Sequence, residues 1–578
     1  MSNKTPKFDQ ALKEILDKLE PHQRECKECG QKFDILSEDI KFYKRLQVPP
    51  PTLCPDCREQ KRAGYRINYL PIFYKKSCSV PGHTEKIVSF YAENNPVKVY
   101  DDKYYFSDQW EATEFGIDYD PEKSFFEEYN KFVLKVPHQS LFKDPQSVNS
   151  DYVVAGIQAK DCYYVASPIF SEKIYYGWYP ENCKESINIC EIKKSELCFD
   201  CVYTNASYNC IHCVSVDNCL NSSFLYDCHN CQNCFMSVNL RNKSYVFRNQ
   251  QLSKEEYQEK MKEIEMGKKS VYKKLQKEFN QLIEEKAIKK NLDNAKTENV
   301  FGDKLIECKD CFKSFSLVKS ENIRYGFVAK EIKDCMDFWG GTKNSLLYES
   351  SGVADSSQVK FSLMMRTCSE VEYSFECSNC ENCFACFGLK NKKYHIFNKP
   401  YSKEEYYQKI DELKTKMLKR GEYGEFFPLK NSPFPYQDSN AQIEFPLTEE
   451  EIKAKGWHWQ DEVPSEIDLT KIKTIKAEDV PDDIKDITDE ILKTPVICAR
   501  TKKPFKVTPF ELDFYRKMSV PLPTIHPSER VKDLFKYKRG YHLYSTTCTK
   551  CGKEIQTVHN PEKTENIYCE ECYAKEVV

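Results

Sequence analysis

No stretch of this sequence approaches the roughly 18 apolar residues a membrane-spanning helix requires. The opening MSNKTPKFDQALKEILDKLE has no apolar core of signal-peptide length and reads as an amphipathic helix. Charge of one sign is also missing: 86 Lys and Arg stand against 89 Asp and Glu, a formal net charge of -3. That balance excludes a uniformly basic nucleic-acid coat protein and leaves only local basic patches. No catalytic motif stands out. At 578 residues the chain has room for roughly three to five domains of ordinary size.

What the sequence has in quantity is cysteine. There are 29, an odd total, and many fall in CxxC pairs. A secreted protein would tend to pair them as disulfides, whereas a reducing compartment favours metal thiolates and buried thiols. The expectation is a cytoplasmic protein with no membrane partner.

Two cysteine sets have metal-ligand spacing. Cys26, Cys29, Cys54 and Cys57 form C-x2-C-x24-C-x2-C, and Cys548, Cys551, Cys569 and Cys572 form C-x2-C-x17-C-x2-C. Each CxxC is a tight knuckle that aims two sulfurs at one point. Two knuckles complete a closed tetrahedral site of four sulfurs, which suits Zn2+ and leaves no position for water. About two structural zinc ions, serving folding rather than catalysis, are therefore expected.

Each end also carries an eroded copy. The first module recurs 472 residues later: Cys26 falls on Cys498, Phe42-Tyr43 on Phe514-Tyr515, and Arg58 on Arg530. Cys29, Cys54 and Cys57 become Thr501, His526 and Glu529. Thr501 is a poor ligand, and Phe505, Phe514, Tyr515 and the prolines could hold the shape without an ion. The second module is eroded near the N-terminus, with Cys78 and Pro81 in place of a CxxC and Asp101 and Tyr104 at its far end. There His83 reads as an ordinary surface histidine.

A different repeat fills the centre, offset by 149 residues: Cys219, Cys228, Cys231 and Cys234 match Cys368, Cys377, Cys380 and Cys383, and the capped-helix start Ser253–Tyr257 recurs as Ser402–Tyr406. Within each half, cysteines recur nine apart, as at Cys201, Cys210, Cys219 and Cys228. Short apolar pieces between Asn, Ser and Asp read as strand-and-turn rungs. Stacked rungs of a parallel β-helix, two nine-residue steps to a coil, explain that beat. Cysteine suits a narrow interior, and asparagine can ladder at the corners. Two active alternatives compete. Cys228-x2-Cys231-x2-Cys234 and Cys377 to Cys386 look like the start of an iron–sulfur run, but no proline follows and Ser237 faces Cys386. A polymer-cleaving β-helix enzyme would need an acid pair among Asp151, Asp161, Asp200, Asp334 and Asp337.

Basic residues follow both copies of the first module: Arg58, Lys61, Arg62 and Arg66, then Arg530, Lys532, Lys536, Lys538 and Arg539, interleaved with Tyr65, Phe535, Tyr537 and Tyr541. Such edges grip phosphates and stack bases, although a solvated helix face gives the same pattern. Arg58, Lys61, Arg62, Arg66, Arg530, Lys538 and Arg539 are the candidate nucleic-acid contacts.

The segment CKECGQKFDILSEDIKFYKRLQVPPPTLCPDCREQKR resembles a treble-clef-like zinc-ribbon family. The whole chain, with NKPYSKEEY, GEYGEFFP and the closing CTKCGKEIQT…YCEECY, resembles an uncharacterised bacterial family of small-genome candidate-phyla lineages. That resemblance implies two CxxC knuckles in the second N-terminal module, a pattern from which Pro81, Asp101 and Tyr104 depart.

The expected architecture is mainly β and multidomain. It comprises a helix and zinc ribbon over 1–66, a degenerate ribbon over 67–110, a connector over 111–145, and solenoid halves over 146–250 and 300–400. A helical insertion spans 251–299, a helix 401–421, a linker 422–497, a degenerate ribbon 498–539 and the closing ribbon 540–578. The expected role is a zinc-stabilised binding scaffold contacting nucleic acid, a ribonucleoprotein or a protein partner.

Overall fold

The computed structural model describes residues 4–461 and 472–577, so part of the expected linker, 462–471, lies outside the described residues. Strand outweighs helix. The chain divides into two compact units, each assembled from distant stretches: 1–67, 74–140 and 292–460 in the first, 68–73, 141–291 and 461–578 in the second. Each unit contains one half of the central repeat and one four-cysteine module.

In both halves of the repeat the strands are parallel and pair largely in sequence order, and each half closes on a short antiparallel pair, Val246–Phe247 with Gln250–Gln251 and Lys393–Ile396 with Lys399–Pro400. Lys184 lies beside Glu196, Glu196 beside Tyr208 and Tyr208 beside Leu220. In the other half Ser357 lies beside Ser369, and Ser369 beside Glu381. The step is 12 residues, which corrects the coil of two nine-residue steps. Within it a three-residue beat runs. One residue, such as Asp161, Tyr164 or Ser167, takes a left-handed φ near 53–58°. The next, such as Cys162 or Val165, points into the core. The third forms the bridge to the neighbouring strand, as Lys160 does with Glu172. Nine residues are three such beats, so the cysteine spacing marked a fraction of the 12-residue step.

Hydrogen bonding explains which residues occupy the interior. The bridging amide donates to a carbonyl 11 residues on (Lys160 to Ser171, 3.0 Å), and the left-handed amide donates to one 13 residues back (Asp161 to Val148, 3.0 Å). The amide of the inward residue faces the core, where an unpaired donor is costly. A serine one step below accepts it: Ser150 from Cys162, Ser186 from Cys198, Ser207 from Cys219 and Ser222 from Cys234, at 3.0–3.1 Å. A cysteine sulfur can do the same, as Cys335 does for Leu347 at 3.4 Å. Cysteine thiols also donate to nearby carbonyls, Cys201 to those of Phe199 and Cys210, each at 3.4 Å. Where serine or cysteine takes an inward position, its one donor and one acceptor suit this environment. Ser222→Ala is expected to cost about 1–3 kcal/mol in urea unfolding by orphaning the Cys234 amide, with Ser222→Cys recovering most of it. Equal stability of the alanine variant and the parent would refute this account.

Asparagine does ladder at the left-handed positions: Asn218 donates to Asn230 at 2.9 Å and Asn230 to Asn242 at 3.0 Å. Its short polar side chain makes that conformation less costly than it is for other residues.

The helices fall where the caps predicted. Ser253 and Glu256 form a capping box on Lys254–Lys262, and Ser402 and Glu405 form one on Lys403–Arg420, which Gly421 closes at φ 70°. In the helical insertion, Tyr272, Leu275 and Phe279 of Lys269–Glu285 are buried, with Phe279 against His212 and Phe224 of the strand ladder. The opening helix, Pro6–Asp17, buries Phe8, Leu12 and Leu16. Its first turn is capped by Asp411, which accepts from the amides of Phe8 and Lys7 at 2.8 and 3.2 Å. The stretch after Gly421 is no draped linker over its first part, since Phe426, Phe427, Phe434 and Tyr436 are buried in the first unit. Prolines made it read as a linker, but its aromatic side chains put it in the core. No helix among the described residues is long and apolar enough to cross a membrane.

Candidate metal centres

The first centre is built from a hairpin and a helix. Strands His22–Glu25 and Lys32–Ile35 pair antiparallel, and Cys26 and Cys29 sit in the turn between them. The turn closes with Cys26 N donating to Gln31 O and Gly30 N to Cys26 O, both 2.9 Å. Gly30 has φ 72°, where a Cβ would be strained. Cys54 is the N-cap residue of helix Pro55–Ala63, and Cys57 lies in its first turn. Proline at the first helical position needs no amide partner there.

The second centre repeats this plan. Strands Tyr544–Thr547 and Glu554–Thr557 flank Cys548 and Cys551, Gly552 has φ 73°, and Cys569 directly precedes helix Glu570–Val577, which carries Cys572. Cys548 N donates to Lys553 O at 2.8 Å and Gly552 N to Cys548 O at 2.9 Å.

In each centre the four ligand atoms lie within 4.8 Å of one another, with Cys29 and Cys54 sulfurs 3.8 Å apart and those of Cys551 and Cys569 3.9 Å apart. Four thiols so placed cannot all ionise without a cation. Hydrogen bonding from Cys57 pulls Cys54 down to about 5, and Cys57 is correspondingly raised. Burial opposes ionisation of Cys548, but amides of Cys569, Cys551 and Lys550 outweigh it and bring the thiol down to about 6. A closed set of four sulfurs with thiolate-favouring amides fits Zn2+. The two four-cysteine sites are consistent with about two structural zinc ions.

Residues 542–577 match the family described as probable treble clef zinc finger. The match falls on the closing module, whereas the sequence resemblance lies on the opening one. No curated protein matches the chain.

The remaining cysteines behave otherwise. Cys228, Cys231 and Cys234, and Cys377, Cys380, Cys383 and Cys386, are buried in the two strand-ladder cores. Residues three apart in this fold are successive inward positions, so these CxxC pairs are stacked core thiols and not ligand knuckles. Among the described residues none of them joins a cluster of metal-ligating geometry.

The degenerate copy of the first module keeps its frame. Phe514 and Tyr515 are buried, and Cys498 is wholly enclosed. The Cys498 sulfur accepts from the amides of Thr501 (3.4 Å) and His526 (3.2 Å). Glu529, in the place of Cys57, meets Arg500 at 3.3 Å, and Arg500 also meets Asp533 at 2.8 Å. A guanidinium supplies positive charge beside the position where the intact copy has its metal site.

The arginines following these modules are not at a free edge. Arg58, Arg62, Arg66 and Arg530 are all buried, which corrects their assignment as nucleic-acid contacts. Arg58 Nη2 lies 3.0 Å from Asp337 and its Nε 3.4 Å from Glu349. Arg62 meets Glu349 at 2.5 Å and Asp337 at 3.5 Å. Arg66 donates to Trp339 O and Ser351 Oγ at 3.0 and 3.1 Å. Burial pushes Glu349 up to about 7, against the pull of Arg62. In the second unit Arg530 donates to Tyr515 OH at 3.0 Å and stands over the Tyr176 ring. Its helix, Pro527–Leu534, packs on the strands that include Tyr176. Lys61, Lys538 and Arg539 are partly exposed; Lys538 lies over the rings of Tyr69 and Tyr541.

Four of the five candidate catalytic acids have protein partners, while Asp151 is exposed. Asp337 pairs with the two arginines, Asp200 accepts from Tyr272 OH at 2.8 Å, Asp334 meets Arg45 and Asn322, and Asp161 accepts from Asn149 at 3.0 Å. A cavity lined by Tyr65, Tyr129, Leu363 and Phe427 holds about 20 Å³, room for a water and not for a sugar ring.

Proposed function

We propose that this protein is a zinc-stabilised scaffold in which each half of the central repeat is a four-sided β-solenoid and the ribbon modules clamp it. The support for the solenoid is the 12-residue register with a left-handed residue every three positions. The observation that carries the clamp is the burial of Arg58 and Arg62 on Asp337 and Glu349. The helix that completes one zinc site is thereby bolted to the strand ladder of its own unit. Two closed four-cysteine metal sites and thiols packed in the strand-ladder cores support a reducing, cytoplasmic setting.

With those arginines internal, a protein partner is favoured over nucleic acid. Of the seven nominated contacts, only Lys61, Lys538 and Arg539 keep exposed surface. Any RNA or DNA binding is therefore expected to be weak, with a log–log salt slope shallower than about -3. Fluorescence anisotropy across a salt series measures it, and tight binding with a slope near about -6 would overturn the preference. A pull-down from the native cell, with and without nuclease, tests the scaffold reading: a nuclease-resistant protein partner is expected, and partners that all vanish with nuclease would refute it.

A further inference from the structure

The second N-terminal module has lost its CxxC knuckles, yet it folds on the same frame as the two four-cysteine centres. Strands Tyr74–Ser77 and Lys86–Ser89 pair antiparallel, and Cys78 follows the first strand as Cys26 and Cys548 follow theirs. Gly82, four residues after Cys78, has φ 85°, matching Gly30 and Gly552 at the same offset. Asp101 is the N-cap residue of helix Asp102–Tyr105, the place Cys54 holds in the first module. One difference is in the turn. Cys78 N donates to Glu85 O, where Cys26 N donates to Gln31 O, so the loop is two residues longer. The longer loop delivers His83.

We infer that this module holds a third divalent cation of the zinc class, bound by Cys78, His83, Asp101 and Glu85. Cys78, His83 and Glu85 each place a ligand atom within 4.8 Å of the others. Cys78 Sγ is 3.6 Å from His83 Nδ1 and 3.8 Å from Asp101 Oδ2. His83 Nδ1 is 3.5 Å from Asp101 Oδ2 and 3.1 Å from Glu85 Oε1. Tetrahedral zinc with Zn–S near ~2.3 Å and Zn–N and Zn–O near ~2.0 Å sets S···N and S···O at ~3.5 Å and N···O at ~3.3 Å. The two N···O separations, 3.1 and 3.5 Å, bracket ~3.3 Å, and the sulfur separations, 3.6 and 3.8 Å, lie slightly above ~3.5 Å; Asp101 joins the set through Cys78 and His83. Cys78 is buried, while His83 and Glu85 are on the exposed side. One thiolate and an exposed carboxylate hold zinc less tightly than four thiolates, so this ion exchanges first.

The test is metal content of the full chain after zinc loading and passage over a weak chelating resin. Three zinc ions per chain are expected in the parent and two in both H83Q and D101N. Graded chelation should remove one ion before the other two. Two ions in the parent, or three retained in both variants, would overturn the inference. As a check independent of variant folding, alkylation of Cys78 in the parent by iodoacetamide is followed by mass spectrometry. Zinc should slow it at least tenfold relative to the chelated protein; an unchanged rate means that His83, Glu85 and Asp101 form only an ion-pair cluster.

Discussion

Replacing Cys572 with Ser is expected to unfold residues 544–577 as a block while leaving the strand ladder of the same unit intact. The reason is the size of the module's own core. Its buried cluster is Cys548, Ile555, Ile567 and Cys569, with Tyr568 and Cys572 partly buried against it. Half of that cluster is metal ligand. Two isoleucines contribute about 3–6 kcal/mol at most, which does not offset the conformational entropy of ordering the hairpin and helix. Structural zinc in peptides of this kind contributes about 10–16 kcal/mol at neutral pH, and that binding energy is the folding energy. Hydrogen exchange resolved by peptide gives the measurement. Amides of 544–557 and 570–577 should exchange near the unstructured rate in the variant, and those of Lys184–Val238 should stay protected. Retained protection in the closing module would show that it folds without its ion.

Arg62→Met is expected to destabilise the first unit by about 3–5 kcal/mol, because it leaves Asp337 and Glu349 buried with one cation between them. Arg62 is fully enclosed, and both carboxylates are at most 2 % exposed. A buried ion pair is weak evidence for stability, but removing one partner of it is costly. The double variant Arg62→Met with Glu349→Gln should therefore be more stable than the single one, since it removes the surplus charge. Urea unfolding of the four corners of the cycle supplies the coupling energy. A loss under about 1 kcal/mol in the single variant, or a double variant that is simply additive, would mean that the network does not dock the zinc-site helix.

Both zinc sites were legible in the sequence because a CxxC knuckle is a local object. Its two sulfurs are aligned by one turn, and Gly30 or Gly552 marks that turn. The capped helices at Ser253 and Ser402 were legible for the same reason, since capping boxes join residues three apart. The 12-residue step between paired strands was not legible from one residue type. Cysteines nine apart mark a beat, but the inward positions recur every three residues and are shared among Cys, Ser, Val, Ile and Leu. Consecutive pairs such as Cys228 and Cys231, or Cys198 and Cys201, carried the signal, in a spacing that metal knuckles share.

By itself the sequence determined the eight zinc ligands, the two duplications and the dominance of short strands, because each is written in spacings of a few residues or in direct repetition. Tertiary structure alone decided what the basic residues are for. Arg62 meets its carboxylates at positions 337 and 349, and Arg530 meets Tyr176 and Tyr515. A guanidinium reads identically in sequence whether it faces a phosphate or a buried aspartate. Only the fold brings the far partner to it and removes the water between them.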